Sequence, residues 1–218
     1  MNLDLAFDYP NTWRDEIPQV KQVRPAVLST GFAALDALLP EGGWQQGSVN
    51  ELFVPQEGIG ALQLMLPTLA KLSQQRRWIA WVAPPYIPYA PGLAAAGVDL
   101  SRLLLVHPRA GQDGLSLVER CLGSGTCSAV LAWPMLGTGV ALSRLQRAAA
   151  VGDALGILFR PEDAASHASP INVRLKISRR PQGVDVHLLK RRGSWDAGAA
   201  SFSMDQLLQP QITERYAS

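Results

Sequence analysis

The chain has 218 residues, of which 47% are hydrophobic and 17% charged, and its formal net charge is +2. This length and apolar content suit one domain with a sizeable core. Cys121 and Cys127 form neither a disulfide framework nor a CxxC pair, which excludes a disulfide scaffold and predicts a reducing compartment. The first residues lack the pattern of a signal peptide, and no apolar stretch approaches the roughly 20 residues that span a bilayer. We therefore expect a cytoplasmic protein.

Charge is unevenly distributed along the chain. Residues 1–60 carry eight acidic and three basic side chains, whereas residues 160–195 carry eight basic and three acidic ones. The last third is therefore the part in which to seek a surface that faces phosphates or acidic groups.

The predicted elements begin after a polar arm, residues 1–25, for which the sequence shows no period and we expect flexibility. A short helix capped by Ser29 or Thr30 follows. Strands are then predicted at residues 48–54, 78–82, 103–106, 129–133 and 156–159, and helices at residues 61–75, 89–96, 115–122 and 140–150. Residues 172–178 and 184–190 read as two strands of an antiparallel hairpin.

The alternation of short apolar strands with helices predicts the fold class. Continuously apolar strands indicate a mainly parallel sheet covered on both faces, and right-handed crossovers then give an α/β three-layer sandwich. We expect the C-terminal hairpin to lie at the edge of this sheet.

Residues 51–62 (ELFVPQEGIGAL) form a strand, a turn with glycine and a helix start, which is the arrangement of a phosphate-binding loop. Compared with GxxxxGK[ST], Gly60 stands at the second glycine, Ala61 at the lysine and Leu62 at the hydroxyl residue, and Val54 lies next to the position of the first glycine. Trp133 and Pro84 occupy the strand ends where carboxylates are needed. Losing the lysine, the metal ligand and the base together argues against ATP hydrolysis. A remaining alternative is anion binding by the backbone between Gly58 and Gly60.

Three segments in order resemble the core of the RecA recombinase: residues 29–39 (STGFAALDALL), residues 51–60 and residues 97–105 (GVDLSRLLL). The resemblance implies a RecA-like core at residues 26–193, between the N-terminal arm and a flexible C-terminal tail, residues 194–218. It also implies that the degenerate loop belongs to a pseudo-ATPase that binds no cofactor.

Two non-ATPase relatives of RecA fit the sequence better. Residues 66–85 (LPTLAKLSQQRRWIAWVAPP) and 159–169 (FRPEDAASHAS) look like SulA, the SOS-induced inhibitor that binds the tubulin-like division protein FtsZ. Residues 88–104 (PYAPGLAAAGVDLSRLL) and 188–193 (LLKRRG) look closer to ImuA. The first helix and the basic hairpin favour ImuA, because SulA-like proteins need neither.

Membership of the ImuA family implies a non-catalytic accessory protein of SOS-induced translesion DNA synthesis. Its partners would be RecA, the ImuB polymerase homologue and the associated error-prone polymerase, and DNA is a possible further ligand. The alternative is a SulA-like division inhibitor that binds FtsZ.

The candidate DNA- or partner-binding residues are the basic set Arg160, Arg174, Lys176, Arg179, Arg180, Lys190, Arg191 and Arg192. Three interpretations stay open for this set: a phosphate-contacting surface, a dock for an acidic partner, and a solvated edge hairpin. The histidines are dispersed, so no metal site is predicted.

Overall fold

A computed structural model of the chain describes residues 25–55, 60–109, 113–133, 139–190 and 198–208. The strands are β1 (Val27–Leu28), β2 (Trp44–Gln45), β3 (Val49–Val54), β4 (Trp78–Val82), β5 (Leu103–Val106), β6 (Cys127–Ala132), β7 (Leu155–Pro161), β8 (Val173–Arg180), β9 (Gly183–Lys190) and β10 (Ala199–Ser203). The helices are α1 (Ala33–Leu38), α2 (Leu66–Ser73), α3 (Ala90–Ala95), α4 (Gly114–Gly123), α5 (Gly139–Gly152) and α6 (Met204–Leu208).

Most predicted elements are confirmed within two or three residues, but the predicted cap of α1 is wrong. Phe32 precedes the helix and contributes no side-chain cap. Ser29 and Thr30 instead bind Asp36: the Ser29 hydroxyl donates to one carboxylate oxygen and the Thr30 amide to the other, each at 2.7 Å. The carboxylate that accepts hydrogen bonds from residues 29 and 30 therefore lies inside the helix and not before it.

Eight strands form one sheet in the order β10-β9-β8-β3-β7-β6-β4-β5. The six strands from β8 to β5 run parallel to one another, whereas β9 pairs antiparallel with both β8 and β10. β1 and β2 form a separate two-stranded sheet. β3 pairs with two strands, β7 and β8, and both come from the last third of the chain. β3 therefore lies inside the sheet.

Two hydrophobic cores lie on opposite faces of this sheet. Consecutive β6 residues, Val130 and Leu131, belong to different cores, as the alternation of side chains along a strand requires. Helices α1, α2 and α6 cover one face from β10 to β4, and α4 and α5 cover the other face at β3, β4 and β6. Asp113 caps α4 by accepting from the Leu115 amide at 3.0 Å, and the Ser116 hydroxyl that it also binds holds its pKa below the usual range.

The predicted RecA-like three-layer sandwich with an edge hairpin is wrong. The sheet is mixed, and the β8–β9 hairpin is not at the edge because β10 pairs with β9 outside it. Where the strands run antiparallel, the face opposite α1 and α6 carries polar side chains such as Arg180, Asp185 and Ser201, so that face of the sheet is open. Three layers exist only over the parallel part.

β10 and α6 fall within residues 194–218, for which the sequence predicted a flexible tail. Ala200 and Phe202 of β10 are buried, and the Phe202 ring lies edge-on to Phe32 with centroids 5.4 Å apart. Residues 198–208 are therefore part of the fold, with β10 in the sheet and α6 against it, and the remaining domain boundaries stay a prediction. Both cysteines are free thiols. None of the helices that the structure describes has the length and apolar character needed to cross a membrane.

Candidate functional site

A pocket of about 220 Å³ lies at the carboxyl ends of the central parallel strands, where α/β sheets commonly bind ligands. The ends of β3, β4 and β7 contribute Val54, Trp81 and Phe159, and the residue after β6 is Trp133. The other lining residues are Gly60, Ala61, Leu62, Gln63, Pro84, Pro85, Tyr86, Ile87, Pro88 and Tyr89. None of these described residues carries a charge.

Aromatic rings form the floor of the pocket. Trp133 stacks on Phe159, with centroids 4.7 Å apart and ring planes 12° apart, and its other neighbour is Trp81 at 5.7 Å. The Trp133 amide donates to the Val82 carbonyl at 3.2 Å, which continues the pairing of β6 with β4 by one residue. The sheet ladder therefore fixes the position at which Trp133 enters the pocket.

One wall of the pocket is the segment after β4, and a strained turn sets its direction. Ala83 has a φ of 52°, a left-handed conformation that is uncommon for a residue with a side chain. The three prolines of residues 84–88 then restrict the backbone. As a result Tyr86, Ile87 and Tyr89 project outward and are 72%, 88% and 75% exposed. These three residues are called the aromatic rim below.

The residues of the degenerate phosphate loop meet at this pocket. Val54, Gly60, Ala61 and Leu62 all line it, whereas Gly58 lies outside the described residues. Gly60 has a φ of +99°, and a Cβ there would lie 3.1 Å from Leu207, so the turn favours glycine. A neutral, aromatic pocket supplies no cation for a triphosphate, and its residues do not fit a magnesium nucleotide.

Two members of the predicted basic set, Arg160 and Arg174, are buried around a carboxylate. Both guanidinium groups pair with Glu51, Arg160 with Oε1 and Arg174 with Oε2, the latter at 2.8 Å from Nε. Arg174 also donates to the Ala165 carbonyl at 3.2 Å, and its guanidinium lies 4.8 Å from the centre of the Phe53 ring. These groups hold β3, β7 and β8 together and do not reach a phosphate outside the protein.

The other basic residues are spread over the antiparallel part of the sheet. Lys176 pairs with Glu162 at 2.5 Å and Arg180 with Asp185 at 3.2 Å, while Arg179 is exposed. Lys190 ends β9, and Arg191 and Arg192 lie outside the described residues. The structure thus separates the set into buried, paired and exposed members. Binding of DNA or of an acidic partner by the exposed members stays a prediction.

Sequence reasoning missed Glu51 and the aromatic rim. Glu51 is an acid within an otherwise apolar strand, which signals a buried ion pair, but its arginine partners are more than 100 residues away. The segment of the rim is rich in proline, which is typical of a turn, and its three large apolar or aromatic side chains within four residues were the signal for an exposed apolar surface. In the part of the chain that the structure describes, no group of three or more acids, histidines and cysteines could hold a metal.

The sequence profile of a family described as "Cell division inhibitor SulA" matches residues 47–156. A protein of that name from Pectobacterium carotovorum is 30% identical over 152 residues, which cover 69% of this chain and 90% of the relative. One from Edwardsiella piscicida is 32% identical over 55% of this chain and 71% of the relative. For a third, from Photorhabdus laumondii, the identity is 32% and the match spans 49% of this chain and 60% of the relative.

These comparisons correct the predicted family and partners. The matched family is SulA and neither ImuA nor RecA, so the accessory role in translesion synthesis and the partners RecA and ImuB are wrong. The preference for ImuA depended on the first helix and the basic hairpin. Both segments lie outside the matched residues 47–156, which contain β3 to β6, the start of β7 and nearly all of the pocket lining.

Proposed function

Because this chain belongs to the SulA family, we propose that it is an inhibitor of cell division that binds the tubulin-like division protein FtsZ. Its relatives carry the name cell division inhibitor. We further propose that it acts in the cytoplasm as part of the SOS response to DNA damage. The same family resemblance supports both statements.

The aromatic pocket and rim are the surface that we assign to FtsZ. Buried aromatic residues next to exposed apolar ones are typical of the centre of a protein interface, where a few such side chains carry most of the binding energy. Tyr86, Ile87 and Tyr89 form this surface within the matched region, and the adjacent pocket offers an uncharged cavity for a partner side chain. This exposed apolar surface is the single observation that carries the assignment.

The proposed action is binding without catalysis. Ala61 and Leu62 occupy the positions where an ATPase needs a cation and a magnesium ligand, and the pocket beside them is lined by aromatic and other uncharged side chains. Inhibition therefore needs no nucleotide on this chain. In this proposal, inhibition occurs because FtsZ that is bound to this chain is prevented from binding the partners of FtsZ.

Expression in dividing bacteria tests the function, and binding to purified FtsZ tests the surface. We expect wild-type protein to produce long, undivided cells. Cells that express the double variant Tyr86→Ser, Ile87→Ser should divide normally. The Kd of the purified variant for FtsZ should be roughly tenfold or more above that of the wild type, because two central apolar contacts are lost.

The matched control is Val140→Ser, which changes a similarly exposed apolar residue at the start of α5. It should inhibit division like the wild type. Normal division with abundant wild-type protein and no binding to FtsZ would contradict the proposed function. Wild-type affinity in the double rim variant would instead move the interface elsewhere on the chain.

A further inference from the structure

A groove between α4 and α5 carries three arginines and lies on the face of the sheet opposite α2. It has a volume of about 570 Å³, and its lining comprises Glu119, Arg120, Gly123, Ser124, Arg144, Arg147, Ala148 and Val151. The helices approach closely at one end, where a Cβ on Gly152 would lie 1.9 Å from the Leu122 carbonyl oxygen. This set of residues is called the arginine groove below.

The arginine groove has unmatched positive charge and exposed apolar ends. Arg144 pairs with Glu119, but among the described residues neither Arg120 nor Arg147 has a carboxylate within salt-bridge distance. On α5, Val140 and Val151 flank the arginines and are 76% and 81% exposed. The groove therefore suits a segment that combines acidic with apolar side chains.

The described chain starts near the C-terminal end of α5, one of the two helices that form this groove. The Ala26 carbonyl accepts from the Gln46 amide at 2.8 Å, and the Gln46 side chain donates to the Asp153 carbonyl at 2.8 Å, just after α5. The next residue, Gly47, lies against Ala149 and Ala150 in the last turn of α5. The described chain thus starts near the end of α5 that carries Val151.

The first sixteen residues have the complementary composition. They contain one basic residue, Arg14, and four acids, Asp4, Asp8, Asp15 and Glu16. Apolar Leu3 and Leu5 flank Asp4, and Phe7 directly precedes Asp8. Twenty-four residues can extend about 80 Å, whereas α5 is about 21 Å long, so the tether is amply long enough.

We propose that residues 1–16 bind in the arginine groove of the same molecule. The acids pair with Arg120 and Arg147, and the apolar side chains cover Val151. The charge of the groove, the composition of the segment and its point of attachment each support this interaction. It concerns a different surface from the aromatic rim and does not depend on binding to FtsZ.

Photocrosslinking in the full chain tests this interaction. Phe7 is replaced by p-benzoyl-phenylalanine, the protein is irradiated, and crosslinked peptides are identified by mass spectrometry. We expect crosslinks to peptides of α4 and α5 within a monomeric species. Raised salt should lower their yield, because exposed charge pairs are screened.

Charge reversal identifies the contacts. The double variant Arg120→Glu, Arg147→Glu should lower the crosslink yield about threefold or more, and adding Asp4→Lys with Asp8→Lys should restore it. Arg76→Glu with Arg179→Glu is the matched control, because it reverses two exposed arginines elsewhere and should leave the yield unchanged. A milder variant, Arg147→Gln, gives the same comparison if the double reversal does not fold.

Crosslinks that map to other elements would overturn the proposal. So would crosslinks found only between two molecules, or a yield that charge reversal in the groove does not change.

Discussion

Glu51 shows how one residue organises three strands. Its carboxylate is fully buried on β3 and binds Arg160 from β7 and Arg174 from β8. A buried charge is costly unless it is paired, and replacement of one partner leaves the others without compensation. Two buried guanidinium groups pair with this one carboxylate, so we expect the loss of Glu51 to matter more than the loss of either arginine.

Substitution of Glu51→Gln keeps the shape of the side chain and removes its charge. We expect the free energy of unfolding to fall by about 3–5 kcal/mol, because both buried guanidinium groups lose the carboxylate with which they pair. Urea unfolding followed by circular dichroism measures this change. Glu119→Gln, which breaks the exposed pair with Arg144, should cost at most about 1 kcal/mol. Equal effects of the two substitutions would show that burial adds nothing to the Glu51 pairs.

At the scale of elements, the sequence predicted those that carry a periodic pattern of their own. Leu69 and Leu72 mark the buried face of α2, and the continuous apolar runs of β4 and β6 mark interior strands. β10 escaped prediction because its sequence, AASFS, has one large apolar residue and follows a Gly- and Ala-rich segment. It forms a strand because β9 offers an open edge and Phe202 packs on Phe32, and neither fact is local to the segment.

The variant Phe202→Ala tests whether β10 belongs to the cooperative fold. Removal of this buried ring should lower the free energy of unfolding by about 3–5 kcal/mol, since it leaves a cavity between β10 and α1. Chemical denaturation of the variant gives the value. Met204→Ala, two residues away and 40% exposed, should change it by no more than about 0.5 kcal/mol. A small effect of Phe202→Ala would mean that β10 opens independently of the sheet.

At the scale of the whole molecule, the sequence singled out part of the pocket lining but identified the wrong family. Val54, Gly60, Ala61 and Leu62, which were compared with a phosphate-binding loop, all line one pocket, and their part in binding stays a prediction. The rim could not be derived from that pattern, because the exposure of Tyr86 depends on the turn at Ala83 and on the packing of neighbouring strands. The family prediction was wrong because the first helix and the basic hairpin, which lie outside the pocket, were given more weight than the segments that line it.

An uncharged pocket predicts the response of the whole chain to nucleotide. A ligand that binds the native state raises the Tm, by an amount that grows with its concentration relative to the Kd. We expect millimolar magnesium-ATP to leave the Tm of this protein unchanged, and phosphate release to equal that of buffer. Thermal unfolding and a radiolabelled ATP assay measure these outcomes. A Tm that rises with ATP concentration would show that a nucleotide site exists despite Ala61 and Leu62.

The strand order also has a consequence for synthesis on the ribosome. β3 is complete at residue 54, but its neighbours β7 and β8 begin at residues 155 and 173. At about 5–20 residues per second, β3 waits roughly 5–25 seconds for both partners. During that interval the unpaired carboxylate of Glu51 interrupts the apolar run VNELFV, and a charge within such a run opposes aggregation. The residue that later closes the centre of the sheet thus also protects the nascent chain before the sheet exists.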